Sequence, residues 1–162
     1  MNYFKIIFLA TMLCCAATPS LAADKKDFEL IDVLSQRHVL SAYHGKWVIV
    51  NYWATWCPPC LEEVPDLVAL YDARKDRDVM VIGVAWEYKN KQEVLAFVDD
   101  MLMSYPIVFG DASVMRQIGS AEVLPTTFIF NPRGELVKVK RGLVTKAYLE
   151  GVMQSGGAKP KP

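Results

Sequence analysis

The sequence predicts an α/β domain in which a central mixed sheet is flanked by helices and preceded by a β-hairpin. Three observations carry this reading. Trp47-Val48-Ile49-Val50-Asn51-Tyr52-Trp53 and Val79-Met80-Val81-Ile82-Gly83-Val84-Ala85-Trp86 are nearly continuous apolar runs, the pattern of strands covered on both faces. Each run is followed by apolar residues at helical spacing, as in a strand–helix–strand unit. Glu135 to Lys140 then alternates polar and apolar residues after a turn, as an antiparallel strand with one exposed face does. With 162 residues, 52% of them apolar, the chain suits one domain with a substantial core.

At the amino terminus Lys5 supplies a positive charge, Ile6 to Ala17 an apolar stretch and Ser20-Leu21-Ala22 a small-x-small cleavage site. Residues 1–22 therefore read as a secretory signal peptide, 23–155 as the folded domain, and 156–162, rich in Gly, Lys and Pro, as a disordered tail. The apolar stretch is short for a membrane span, which takes about 20 residues. The residues before Cys14 and Cys15 fit a lipoprotein signal poorly, so anchored and lipidated forms rank below cleavage. Cleavage leaves 17 basic against 18 acidic residues and only two cysteines. Nothing electrostatic points to nucleic acid or anionic lipid.

Within the domain, Phe28 to Val33 and Val39-Leu40 flank the polar Ser35-Gln36-Arg37-His38 and predict the hairpin. His38 and His44 fall at loop positions far from other ligand types and are expected in solvent. Tyr43-His44-Gly45-Lys46 is the turn that feeds the central strand. Leu61, Val64, Val68 and Tyr71 predict a helix from about Pro59 to Lys75, with the interior Pro65 expected to kink it. After the second apolar strand, Val94, Phe97, Val98, Met101 and Leu102 form one helix face. Pro106 to Phe109 predicts a short strand, and Val114, Met115 and Ile118 a short helix closing near Gly119. Leu124-Pro125-Thr126-Thr127-Phe128-Ile129-Phe130 is a strand opened by proline, Asn131-Pro132-Arg133-Gly134 a turn, and Thr145 the cap of a last helix whose Tyr148, Leu149, Val152 and Met153 face inward.

The chemistry sits in Trp56-Cys57-Pro58-Pro59-Cys60, where the first apolar strand gives way to the first helix. Prolines suit an opening helical turn, whose amide protons have no partner within the helix. The cysteines then straddle a helix N-terminus, where free N–H groups and the positive end of the dipole favour thiolate and lower the pKa from its ordinary value of roughly 8.5. Two intervening residues allow the pair to close as a disulfide and reopen. A zinc site would need four ligands, and the remaining candidates are Cys14, Cys15, His38 and His44. A purely structural disulfide is the other alternative, but so short a loop removes little chain entropy. Redox catalysis is the favoured reading of this motif beside a βαβ pattern. An exported C-x-x-C pair can work in an oxidising compartment if something re-reduces it.

These residues together resemble the thioredoxin superfamily and, within it, the exported TlpA, ResA and CcmG-like thiol:disulfide oxidoreductases. The likeness spans about residues 27–154: Phe28-x-Leu30, Gly45-Lys46, Asn51 to Cys60, Pro65, and Leu124-Pro125-Thr126-Thr127-Phe128. Val79 to Leu102 and beyond match the strand-and-helix insertion of that branch. The resemblance implies a thioredoxin-like fold in which Cys57 is the exposed attacking thiol and Cys60 the buried resolving one. It implies that Pro125 is cis and faces the cysteines, with Trp56, Pro58, Leu124 and Pro125 contacting substrate. Asn51 stands where thioredoxin has a buried Asp, and an amide cannot accept a proton from the resolving thiol. Glu63, three residues after Cys60 and so on a neighbouring helical position, matches a functional Glu of the ResA-like proteins and is assigned to the catalytic set with the cysteines; the rival reading is a solvated acid like Glu62, favoured by the helix dipole.

The expected function is thus reduction of protein disulfides in the periplasm by the cysteines themselves, with no cofactor. A membrane thiol oxidoreductase is the implied electron donor and apocytochrome c one implied client. Three other readings of the fold compete. A Sco-type copper chaperone needs a later His, and none follows Cys60. A peroxidase needs a Thr and Arg constellation around its cysteine, which Thr55 alone does not supply. A non-catalytic binding module has no need of Cys57, Cys60 and Pro125 together.

Overall fold

The computed structural model describes residues 27–156. The signal-peptide reading of residues 1–22, with Cys14 and Cys15, and the tail beyond Gly156 lie outside the described residues. In chain order come β1 (Glu29–Ile31), β2 (Arg37–Val39), a 3-10 turn (Leu40–Tyr43), β3 (Trp47–Trp53), α1 (Pro58–Arg74), β4 (Val79–Ala85), α2 (Lys91–Asp100), β5 (Ile107–Phe109), α3 (Ala112–Ile118), β6 (Thr126–Phe130), β7 (Leu136–Arg141) and α4 (Lys146–Gln154). Strands β1 and β2 form the expected hairpin, and the other five form one sheet in the order β5-β4-β3-β6-β7. The β5-β4-β3 half is parallel and the β3-β6-β7 half antiparallel. This is the mixed sheet expected.

β3 takes the central place because six of its seven side chains are apolar or aromatic, the seventh is Asn51, and all are buried. Alternate residues of a strand point to opposite faces, and here they divide the core. Trp47, Ile49 and Trp53 pack with Val64, Leu67 and Leu70 of α1 and Leu149 and Met153 of α4. Val48, Val50 and Tyr52 pack with Phe28 and Leu30 of the hairpin, Val114 and Ile118 of α3, and Phe128 and Phe130 of β6. Leu67 and Leu70 are completely buried, each removal from water stabilising the fold by about 1.5–3 kcal/mol. This is what clamps α1 to the sheet. α4 begins as expected, with Thr145 accepting from the Tyr148 amide at 3.1 Å.

Two local expectations change. His38 is not solvated: it is 4% exposed, because β2 pairs it with inward-facing Leu30 and both ring nitrogens find partners, Asp32 Oδ2 at 3.0 Å and Tyr43 Oη at 2.5 Å. Asp32 Oδ1 also accepts from the Leu34 and Gln36 amides, so the hairpin turn is tied to its own core. His44 is exposed, as expected. Leu102 leaves the apolar face of α2, which ends at Asp100; it adopts φ 51° and is 78% exposed. α1 runs from Pro58 to Arg74 through Pro65, which lies on its exposed side.

The Val33 amide donates to Ile107 O at 2.8 Å, laying the hairpin's end against β5. Gly83 of β4 stands level with Asn51 of β3, and a Cβ there would lie 2.9 Å from both Ile107 Cδ1 and Tyr105 Cε2. Both obstacles are themselves packed in the core. Gly83→Ala is therefore expected to destabilise the domain by about 1–3 kcal/mol through overpacking, read from chemical denaturation; an unchanged midpoint would show that the sheet face yields there.

Candidate active site

β3 delivers the chain to the site. After Trp53 it turns through Ala54 and Thr55, where the Cys57 amide donates to Ala54 O at 3.2 Å, and then enters α1. Cys57 is the N-cap of α1, with Pro58 and Pro59 as the first helical positions, one residue earlier than the sequence pattern predicts. The Cys60 and Leu61 amides both donate to the Cys57 carbonyl. Cys57 and Cys60 are closed as a disulfide with their Cα atoms 5.3 Å apart. This puts the Cys57 sulfur, once reduced, at the positive end of a 17-residue helix. Cys60 is fully buried, but Cys57 is also only 3% exposed, which corrects the expectation of an open sulfur. In the closed ring it joins the cluster that holds Cys60, Trp53, Ala54 and Val64.

What stands in solvent is the pair of residues on either side of it. Trp56 is 56% exposed and Pro58 is exposed, while the Trp56 indole is oriented by donating to Glu87 O at 3.2 Å. The Leu124–Pro125 bond is cis. Antiparallel pairing of Tyr52 with Thr126 places Pro125 beside the end of β3, where the cysteine loop departs. Leu124, half-buried, packs against the cluster that includes both cysteines. Val123, which sequence reasoning passed over, adds an apolar side chain 52% exposed to the same loop. Thr55 is engaged elsewhere, its hydroxyl donating to Glu93 Oε1 at 2.9 Å.

Behind the disulfide lies a polar group that the sequence could only flag by spacing. Glu63, three residues after Cys60, is 1% exposed and Glu62 beside it is exposed. The Asn51 amide donates to Glu63 Oε1 at 2.7 Å and to Thr127 Oγ1 at 3.1 Å. Glu63 Oε2 accepts from the Val144 amide at 2.9 Å. One carboxyl thus ties together β3, α1, β6 and the loop before α4. Burial pushes its pKa up to about 7, against the opposing pull of the Val144 and Asn51 hydrogen bonds and the Lys140 charge. Asn51, in the position where an acid would compete with it, serves instead as its donor. Thr127 and Val144 were not identifiable from sequence, because their part depends on strand register and on a backbone N–H.

A profile of the AhpC/TSA family matches residues 22–139. The chain belongs to the AhpC/TSA family. Among members of known sequence, it is 33% identical to the thiol-disulfide oxidoreductase ResA of Geobacillus kaustophilus over 80% of this chain and 74% of that one. Among solved structures, a thiol:disulfide interchange protein of the thioredoxin family from Chlorobium tepidum superposes with a TM-score of 0.73 at 25% identity, covering 82% of this chain and 94% of the other. StoA from Bacillus subtilis gives 0.68 at 27% identity over 78% and 96%. The thioredoxin-like fold is therefore the fold of this AhpC/TSA family member, and thiol:disulfide oxidoreduction, the enzyme class indicated by its C-x-x-C pair, is the class of these relatives. Among the described residues no helix is long and apolar enough to cross a membrane.

The Glu63 environment fixes a pH dependence. A carboxyl whose folded pKa of about 7 stands above an ordinary 4.5 favours the fold while protonated, and that contribution is lost as pH rises through the folded value. Relative to Glu63→Gln, wild-type stability should fall by up to about 3 kcal/mol between about pH 4 and about pH 8, measured as paired denaturation midpoints. A pH-independent difference between the two proteins would mean that Glu63 titrates as an ordinary surface acid.

Proposed function

We propose that the protein is an exported reductase of protein disulfides in which Cys57 attacks, Cys60 resolves and Glu63 accepts the proton that Cys60 must lose. The observation that carries this is the placement of a buried carboxyl titrating near neutrality one helical turn beyond a C-x-x-C disulfide at the start of α1. The Cys57 thiolate, favoured by the helix N-terminus, attacks one sulfur of a client disulfide; a mixed disulfide forms and the other client sulfur leaves as thiolate. Cys60 gives its proton to the Glu63 carboxylate and attacks Cys57 Sγ, which expels the second client thiolate. Two electrons have passed to the client, and the enzyme is left as the disulfide seen here. The carboxylate is also the reason Cys60 resists ionising until it is needed, since burial and a negative neighbour both disfavour its thiolate.

The exposed Trp56, Pro58 and Val123, together with Leu124 and cis-Pro125, form the apolar ground on which an extended client segment would lie beside the disulfide. The N-terminal pattern and the relatives' activity support a periplasmic location, with a membrane thiol oxidoreductase returning electrons to the pair. Apocytochrome c fits as a client by its paired cysteines.

Two predictions separate the roles. Cys60→Ser should attack client disulfides and stall as a covalent mixed disulfide, while Cys57→Ser should form none; non-reducing gels of insulin or trapped extracts read the difference, and the opposite pattern would reverse the assignment. Glu63→Gln should slow release from the mixed disulfide by about 10-fold or more, with exposed Glu62→Gln at the wild-type rate; equal rates in all three proteins would remove Glu63 from the mechanism. Metal analysis of the same samples tests the copper-chaperone alternative.

A further inference from the structure

Two buried donors on the α1 face of the sheet are left over by the hydrogen bonding described above. The Trp53 indole N–H and the Tyr105 hydroxyl are both inaccessible to solvent and have no hydrogen-bond partner among the described residues. Buried donors without partners are rare in folded proteins and call for an explanation. Tyr105 could have been Phe with the same ring in the same place, so its hydroxyl is the feature to explain, and the Trp53 N–H beside it shares the need for a partner.

Their location supplies one. Trp53 follows Asn51 by two residues in β3 and so projects on the same face, the face that carries the Glu63 network. Gly83, directly across from Asn51, contributes no side chain, and the residues of both orphaned groups close in on its Cα: a Cβ at Gly83 would meet Tyr105 Cε2 at 2.9 Å and Trp53 Nε1 at 3.0 Å. Burial, and after it the Glu63 charge, pushes the pKa of the Tyr105 phenol upward. Each Glu63 oxygen has one protein donor, Asn51 for Oε1 and the Val144 amide for Oε2, whereas a carboxylate accepts about four hydrogen bonds in all. Donors without acceptors therefore share a sheet face with an acceptor that has spare capacity.

We propose that Tyr105 is a positioning residue for Glu63, its hydroxyl and the Trp53 N–H together holding a buried water against the Glu63 carboxyl. The proposal rests on the reading of Glu63 as the proton acceptor for Cys60. A buried water typically makes about three hydrogen bonds to otherwise unsatisfied groups, and these three groups meet that need. The bonding also survives the reaction. With Glu63 ionised, the water accepts from Trp53 and Tyr105 and donates to the carboxylate. Once Glu63 has taken the proton from Cys60, its O–H donates to the water, the water still accepts from Trp53, and it donates in turn to the Tyr105 oxygen. Only O–H and S–H bonds change and no electrons move. The phenol is suited to this exchange because it both donates and accepts, and its raised pKa keeps it neutral throughout. Tyr105 further walls a cleft of about 390 Å³ bounded by Asp32, Tyr71 and Ser104. Among the described residues Lys140, on β7, is the cation whose charge acts on Glu63.

The test uses Tyr105→Phe, which removes the hydroxyl and keeps the ring in its packing with Tyr71. The Glu63 carboxyl is followed by its ¹³C chemical shift against pH, assigned by its loss in Glu63→Gln. The expected result is an upward shift of the Glu63 pKa by about half a unit or more, because the carboxylate loses a water that favoured it, with release from the mixed disulfide slowed about 3-fold or more and no further slowing in the Glu63→Gln background. A wild-type carboxyl titration and release rate in Tyr105→Phe would overturn the proposal. A high-resolution crystal structure of the wild-type protein decides independently of any variant's folding: a water bonded to Tyr105 Oη, Trp53 Nε1 and Glu63 supports it, and a dry contact overturns it. If Tyr105→Phe moves the Glu63 pKa while Glu63→Gln releases client at the wild-type rate, the water site stands and the proton-acceptor role of Glu63 falls.

Discussion

Taking the Glu63 carboxyl out of water is the most demanding thing this fold does, and much of its construction follows from that. An ionised group costs several kcal/mol to bury unless it is supplied with partners. Here the partners come from three separate parts of the chain: Asn51 in β3, Thr127 through Asn51 in β6, and the Val144 amide before α4. None of these is close to Glu63 in sequence, so the carboxyl is satisfied only when α1 has packed on β3, β6 has paired with β3 and the loop before α4 has docked. The carboxyl therefore ties β3, β6 and the approach to the last helix to the helix that carries the cysteines. A surface acid at the same position would not.

The cysteines occupy the opposite electrostatic situation. Cys57 caps a helix whose first two positions are proline, so the dipole that favours its thiolate is not spent on a side-chain cap, and the loop geometry is held by rings with fixed φ. Cys60, one turn further in, has apolar neighbours and an acid behind it. Under the proposed mechanism one helix thus sets two thiols apart: the first is helped to ionise and the second hindered until Glu63 acts. Their separation of three residues makes the contrast as steep as helix geometry allows while still letting the sulfurs bond.

Much of this was legible from sequence because it is local. Buried runs, helical spacing, the proline-flanked C-x-x-C, the Thr145 cap and the Asn131–Gly134 turn all declare themselves within a few residues. The resemblance added the cis bond at Pro125 and singled out Glu63, neither of which follows from pattern alone. What stayed hidden is non-local. His38 reads as a loop residue until β2 turns it inward between Asp32 and Tyr43. Thr127 and Val144 acquire their part through register and a backbone N–H. Leu102 continues the apolar periodicity of α2 in sequence, but the helix has already ended. The resemblance implies an open Cys57, but in the ring it forms with Cys60 the residue belongs to the core cluster.

The contact between the hairpin and β5 has a consequence for colloidal behaviour. Extended, apolar chains are the species most apt to add themselves to an unpaired strand, and an enzyme that acts on protein disulfides as proposed would work among them. One border of this sheet is the three-residue β5, preceded by Pro106 and met at Ile107 by the Val33 amide; the other is β7, which bears Lys138, Lys140 and Arg141. Short length, proline, a covering segment and positive charge are the means by which sheet borders are kept from templating further strands. The rims of the sheet are thereby closed to added strands, and under the proposed function the apolar ground around Trp56 and cis-Pro125 is left as the place where adhesion leads to chemistry rather than to aggregation.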